Sequence, residues 1–271
     1  MKKIFGLLGK NIGYSFSPLL HKEIFNFLNC DYDYKIFDMQ ENEIETLIEK
    51  MKKDEIQGIN VTIPYKQTVM KYLDEISENA EKIGAVNTVY KKNGKLAGEN
   101  TDYWGFLKTI EKMKINLKDK TAAVLGTGGS AKAVVQVIKN LGGNPVIVSR
   151  TPEKTASQFK NFKVINYNEL KNIHGELIVN CTPLGNKNYP ALSPVDKTIC
   201  QNWKTAVDLN YTPEVSVFLS YFAGKPHSNG LYMLVAQGIH SEIIWQEKNI
   251  SIDEIYNKVY NNVYKKITKE F

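Results

Sequence analysis

The sequence predicts an α/β protein of two domains. Strand-like and helix-like segments alternate through the first hundred residues, the pattern of a sheet covered by helices. A glycine-rich turn between a strand pattern and a helix pattern then opens a second, separate alternation at Thr121 to Ser149. The length, 271 residues, suits one large domain or two of ordinary size.

The stretch Thr121–Ala133 reads TAAVLGTGGSAKA. Ala122 to Leu125 is an apolar run long enough for a buried strand, and Gly126, Gly128 and Ala131 stand at the spacing G-x-G-x-x-G/A. Ala131, Val134, Val135, Ile138 and Leu141 recur at helical intervals, Gly142-Gly143 ends the helix, and Pro145 to Ser149 starts a second strand. This is the context the dinucleotide fingerprint requires. Gly126 permits the tight turn, Gly128 admits a pyrophosphate to the backbone, and the helix N-terminus holds it through free N–H groups and its dipole. After the second strand, where an NAD site places an acid, the chain reads Ser149-Arg150-Thr151. Arg150 is the only arginine; every other basic side chain except the histidines is lysine. A guanidinium binds a ribose 2′-phosphate bidentately and stacks on adenine, so the expected cofactor is NADP.

The elements follow in order. Lys2 to Gly9 reads as a strand and Asn11 to Ser17 as a turn-rich loop. Ser17-Pro18 predicts a helix with serine at the N-cap and proline at N1, its apolar face being Leu20, Ile24, Phe27 and Leu28. Tyr32 to Phe37 is a strand, Glu43 to Lys53 an amphipathic helix through Ile44, Leu47, Ile48 and Met51, and Ile56 to Ile63 a third strand. Short helices are expected after Pro64 and near Asn79 to Ile83. Thr88 to Gly98 is a hairpin with Asn93-Gly94 as a type I′ turn, and Asp102 to Met113 a helix. Beyond Arg150 come a helix from Pro152, then strands at Lys163 to Asn166, Glu176 to Cys181 and Thr205 to Leu209. Strand ends at this edge of a doubly wound sheet face the ligand crevice. Helices Leu231 to Gln246 and Ile252 to Ile267 close the chain and are expected to return to the first domain.

Composition narrows the class. No apolar run approaches the 18 or so residues of a membrane-spanning helix, and Ile4 to Leu8 is too short for a signal-peptide core. Cys30, Cys181 and Cys200 have neither metal spacing nor even pairing, which suggests reduced thiols in a cytoplasm. Four scattered histidines predict no metal site. The net charge of +6 comes from dispersed lysines, with no basic block interleaved with aromatics, so no nucleic acid is expected.

Polar stretches interrupt the first domain where apolar residues would be expected: Ser15-Phe16-Ser17, Asn60 to Lys66 (NVTIPYK), Gly84 to Thr88 (GAVNT) and Asn100-Thr101-Asp102. Taken singly, Ser17 and Asp102 are helix caps, Asn87 a turn residue and Lys66 a surface lysine. Taken in order with GTGGSA, RT, Asn180 to Gly185 (NCTPLG) and Gly230 to Gln237, they resemble the shikimate dehydrogenase family across Gly9 to Gln237.

That resemblance implies an N-terminal α/β substrate domain (1–102 with 238–271), a Rossmann-type NADP-binding domain (103–237), and a cleft between them. It implies reversible NADP-dependent reduction of 3-dehydroshikimate to shikimate, by a monomer or homodimer. It places Ser15 and Ser17 on the substrate carboxylate, and Thr62, Asn87 and Gln237 on the ring hydroxyls or carboxylate, with Tyr211 nearby. Lys66 and Asp102 would be the catalytic pair. Gly126, Thr127, Gly128, Gly129, Ser130, Ala131, Ser149, Arg150 and Thr151 would hold the cofactor, Lys154 would be a second cation for the phosphate, and Thr182 and Gly230 would lie near the nicotinamide. Three positions depart from the family pattern: Tyr14 for His, Ser149 for Asn, and Cys181 for Ala. A quinate or broader shikimate/quinate dehydrogenase, with or without use of NAD, and a ligand-binding relative without turnover are the alternatives. The intact Lys66 and Asp102 disfavour the last.

Overall fold

A computed structural model describes residues 2–247 and 252–267. The chain divides into two compact units, Met1–Gly105 with Leu234–Phe271, and Phe106–Met233. The assignment of residues 248–251 and 268–271 to the first domain lies outside the described residues.

The first unit opens with β1 (Lys3–Gly9), α1 (Ser17–Phe27), β2 (Tyr32–Asp38), α2 (Ile44–Lys52) and β3 (Gly58–Val61). It continues with β4 (Glu75–Ile76), α3 (Glu78–Ile83), β5 (Thr88–Lys92), β6 (Lys95–Glu99) and α4 (Thr101–Met113), which carries the chain out of it. One six-stranded sheet runs β2-β1-β3-β5-β6-β4. The β2-β1-β3 part is parallel, and β5 pairs antiparallel with both β3 and β6. Phe5, Leu7 and Leu8 of β1 and all of β3 are buried, the continuous burial expected of central parallel strands. The β5–β6 hairpin turns on Asn93 and Gly94 with φ of 50° and 80°, as a type I′ turn requires. On α2 the periodic residues Ile44, Leu47, Ile48 and Met51 are buried together with Ile59 and Val61.

The start of α1 differs from its sequence-based expectation. The N-cap is Phe16, and Ser17 is the first helical residue. The Ser17 N–H is taken instead by the Ser15 hydroxyl at 3.2 Å. Capping by side chain has moved two residues upstream, because the loop is already drawn in by Asp38, which accepts from the N–H groups of Asn11 and Ile12. The buried residues of α1 are Leu20, His21, Glu23, Ile24 and Phe25, whereas Phe27 and Leu28 are only partly covered.

The second unit contains β7 (Thr121–Leu125), α5 (Gly129–Asn140), β8 (Asn144–Val148), α6 (Pro152–Ala156), β9 (Lys163–Ile165), α7 (Tyr167–Leu170) and β10 (Gly175–Asn180). It ends with α8 (Lys197–Cys200), β11 (Trp203–Asp208), α9 (Val217–Ser220) and β12 (His227–Ser228). The order β12-β11-β10-β7-β8-β9 is parallel throughout. It is the Rossmann order, with the topological switch between β7 and β10. The sheet buries Ala123, Leu125 and Ile178 with Trp203, Phe218 and Phe222. The chain returns to the first unit through α10 (Leu231–Gln246) and α11 (Ile252–Ile267). No helix among the described residues is long and apolar enough to cross a membrane.

In the first unit α10 is seated by a close approach. A Cβ at Gly58 would lie 2.4 Å from Trp245 Nε1. That indole is fixed by donating to the Val89 carbonyl at 3.1 Å and stacking on Phe5 at 4.8 Å. Gly58→Ala is therefore expected to destabilise the protein by about 1–3 kcal/mol through overpacking. Urea unfolding followed by circular dichroism measures it; unchanged stability would mean that Trp245 is free to move aside.

Candidate active site

In the first unit Lys66, Asn87, Asp102 and Gln237 join one hydrogen-bonded network through Thr101, while Ser15 bonds to Ser17 and Thr62 pairs through its backbone with Leu8. Asn87 lies one residue before β5, at the end where that strand pairs with β3 and β6. Its Oδ1 accepts from the Thr101 N–H at 2.6 Å and from the Thr101 and Thr88 hydroxyls at 3.1 Å. A backbone N–H can only donate, so the carboxamide orientation is fixed and Nδ2 must face the other way. There it donates to Asp102 Oδ1 at 2.9 Å. The second carboxylate oxygen, Oδ2, accepts from Lys66 Nζ in a short ion pair. Lys66 lies in the turn after β3, and Asp102 in the first turn of α4. Both side chains are largely covered, at 14% and 11% exposed. An ion pair with so little water around it is far better defined than one at the surface.

Further residues surround this network. Asn60 Nδ2 donates to the Ser241 hydroxyl at 2.9 Å, to Thr88 Oγ1 at 3.1 Å and to the Asn87 carbonyl at 3.3 Å. Asn60 Oδ1 accepts from the Tyr34 hydroxyl at 2.8 Å. Burial, and secondarily the charge of Glu242, holds the Tyr34 phenol well above its ordinary value, with a hydrogen bond to Ser17 opposing. The Ser15 hydroxyl donates to Ser17 Oγ at 3.1 Å. Gln237 on α10 is tied in by the Thr101 hydroxyl at 3.4 Å, and Thr62 continues from β3 by donating its N–H to the Leu8 carbonyl. Tyr34 and Ser241 carry no signal in the sequence, because each is a single polar-tipped residue outside any of the motifs. Asn60, a polar residue inside an apolar strand, was visible within its motif.

Tyr211 and the predicted cofactor residues belong to the second unit. Strand register brings four strand ends level there: Leu125 pairs with Val148 on one side and Asn180 on the other, and Asn180 with Asp208. The segments that leave these ends are the glycine turn, Ser149–Thr151, Cys181–Gly185 and Leu209–Tyr211. Gly126 has φ of +104°, and a Cβ there would meet Thr182 Cγ2 at 3.2 Å. Gly128 is the N-cap of α5, with no side-chain cap and no acid in the first turn, and a Cβ there would meet nothing within 4 Å. Gly129, Ser130 and Ala131 form that first turn, and Thr127 lies beside Gly126. This is an open, acid-free helix N-terminus, which fits a pyrophosphate. Arg150, Thr151 and Lys154 are exposed, and no acid stands among 149–151. Ser149 is turned inward, bonded to the Thr155 hydroxyl at 2.8 Å and to the Thr151 N–H at 3.1 Å. It shapes the loop that carries Arg150. Gly230 is required by packing, because a Cβ there would lie 2.0 Å from the Leu209 carbonyl oxygen.

Comparison with known proteins places this geometry. A family model described as shikimate dehydrogenase substrate binding domain matches residues 7–89. A shikimate dehydrogenase (NADP(+)) of Clostridium beijerinckii is 40% identical over 251 residues, covering 90% of this chain and 92% of the relative. This chain belongs to the shikimate dehydrogenase family. Its fold is similar to that of a chorismate mutase/shikimate 5-dehydrogenase fusion protein from Clostridium acetobutylicum, with a TM-score of 0.95, 40% identity and 99% of both chains covered. It is also similar to the Thermus thermophilus shikimate 5-dehydrogenase solved with NADP(H) and shikimate, with a TM-score of 0.84, 29% identity, and 96% and 99% of the two chains covered.

One buried acid of the second unit has a displaced titration. Burial pushes the Asp208 carboxyl up to about 6, against hydrogen bonds from Ser216, Asn210 and Asn180 that favour the charged form. Its negative charge, after burial itself, also helps to push the Cys181 thiol up. A carboxyl whose folded value is raised binds its proton more tightly in the folded state. Its contribution to stability is therefore present below the unfolded value near 3.8 and is lost as pH rises through 6. The loss is up to about 3 kcal/mol. Asp208→Asn removes this titration, so between pH 4 and pH 7 wild-type protein is expected to lose up to about 3 kcal/mol relative to the variant. Urea unfolding at the two pH values measures the difference, and parallel pH profiles would show that Asp208 ionises as freely as in the unfolded chain.

Proposed function

We propose that this chain catalyses the reversible, NADP-dependent reduction of 3-dehydroshikimate to shikimate. The observation that carries the proposal is the covered Lys66–Asp102 pair, with Asp102 locked from behind by Asn87. Bound NADPH supplies the hydride. As negative charge grows on the substrate carbonyl oxygen, the Lys66 ammonium stabilises it and passes a proton from Nζ. Asp102 keeps the ammonium aimed, and in the reverse direction Lys66 takes the proton back. Ser15 and Ser17 bind the substrate carboxylate, and Thr62, Asn87 and Gln237 bind its hydroxyls or carboxylate, with Tyr211 nearby. Membership of the family and the agreement of this arrangement with its sequence pattern support these roles.

The cofactor is held by the 126–131 turn through its backbone N–H groups and by Arg150, Thr151 and Lys154 through the 2′-phosphate. Thr182 and Gly230 lie towards the nicotinamide. The enzyme works in the cytoplasm, as a monomer or homodimer.

The test is oxidation of shikimate and of quinate by purified protein, with NADP and with NAD. Shikimate with NADP is expected to give the highest kcat/KM. Arg150→Ala should raise the KM for NADP by about 10- to 150-fold, the worth of a charge-assisted phosphate contact, and leave that for NAD nearly unchanged. Equal losses with both cofactors, or a preference for quinate or for NAD in the wild-type protein, would overturn the assignment.

A further inference from the structure

The second unit buries one carboxylate that the reaction does not use. Asp208 is fully covered at the end of β11, and its hydrogen-bond partners are uncharged. Its Oδ1 accepts from Asn180 Nδ2 at 3.0 Å, from the Asn210 N–H at 3.0 Å and from Asn210 Nδ2 at 2.9 Å; its Oδ2 accepts from the Ser216 hydroxyl at 2.5 Å. The two asparagines carry the connection outward. Asn180 Oδ1 accepts from the Thr182 hydroxyl at 2.7 Å and the Thr182 N–H at 3.0 Å, and its Nδ2 also reaches the Leu184 carbonyl at 2.9 Å. Asn210 Nδ2 donates to the carbonyls of Thr182 and Leu184, and the Gly230 N–H donates to the Asn210 carbonyl. One carboxylate thus binds three separate stretches, 180–185, 208–216 and Gly230, into a single body.

The position of that body in the sheet gives it a role. Arg150 follows β8, so an adenosine 2′-phosphate lies on the β8 side of the switch point. The pyrophosphate is held between β7 and α5. The remaining half of the dinucleotide then extends over the ends of β10 and β11, where the Asp208 body forms the surface. We infer that Asp208 is a positioning residue for the nicotinamide half of the cofactor, acting through Asn180 and Asn210 on the Thr182 and Gly230 segments. The inference rests on the NADP assignment above.

The experiment uses the full-length chain and two ligands: NADPH, and adenosine 2′,5′-bisphosphate, which lacks the nicotinamide half. Dissociation constants are measured by titration calorimetry for wild type, Asp208→Asn and Asn210→Ala. Asn210 is only partly buried, so that variant tests the same connection where Asp208→Asn fails to fold. Each variant is expected to bind NADPH roughly tenfold or more weakly, the scale of one lost charge-assisted contact, and to bind the bisphosphate within about twofold of wild type, the typical accuracy of additivity at independent sites. Amide hydrogen exchange without ligand is expected to speed up in 181–185 and 209–216 and not in β7 or α5. Equal weakening of both ligands in a folded variant would show a merely structural role and overturn the inference, as would unchanged NADPH binding. Failure of wild-type protein to bind either ligand would instead overturn the NADP assignment, and exchange unchanged in 181–185 and 209–216 would then remove the structural connection as well.

Discussion

A side-chain amide that cannot turn over governs the geometry of the first unit. Because Asn87 Oδ1 is committed to the Thr101 N–H, Asn87 Nδ2 must face Asp102. Because one oxygen of Asp102 is then occupied, the other faces Lys66. Reversing the amide would set a donor against the Thr101 N–H and an acceptor against the Asp102 carboxylate, and a buried group left without its partner costs about 1–3 kcal/mol. The direction of the Lys66 ammonium is therefore settled by the backbone at the start of α4, before any substrate arrives. Preorganisation of this kind lets an electrostatic group stabilise growing charge without reorienting.

The second unit uses the same device with a different residue. Parallel pairing sets Asn180 beside Asp208, and the carboxylate gathers the donors of the segments leaving β10 and β11. The cost of burying the charge appears as the raised carboxyl of Asp208. What it secures is a fixed surface next to a glycine turn that contributes only backbone. In both units a buried polar group converts strand and helix ends, the least regular parts of the chain, into defined positions.

Much of this was legible in the sequence, for physical reasons that differ by element. The strand β7, the turn at Gly126 and the helix α5 were readable because the periodicity changes from a continuous apolar run to helical spacing across two glycines. The Asn93-Gly94 hairpin was readable from its turn chemistry. Two-residue strands such as β4 and β12, and four-residue helices such as α7, α8 and α9, are too short to carry any period. Ser17 was expected to cap α1, but the loop held by Asp38 presents Ser15 to that N–H instead, a tertiary effect that local sequence does not encode. Lys66 and Asp102 stand in recognisable motifs, yet their pairing needs β3 and α4 to be brought together by the sheet. Asp208 carried no signal, since its partners Asn180 and Ser216 come from other segments.

The most direct test of the central claim, that Lys66 and Asp102 act as one catalytic unit, is a double-mutant comparison of kcat. Lys66→Ala, Asp102→Asn and the double variant, each shown to be folded, are assayed at saturating NADP and shikimate. Lys66→Ala is expected to lower kcat by roughly 10²- to 10⁴-fold, the range of general acid–base groups. Asp102→Asn should lower it too, and the double variant should be little worse than Lys66→Ala alone, because both serve one step. Near-normal turnover in Lys66→Ala, or losses that multiply in the double variant, would contradict the account.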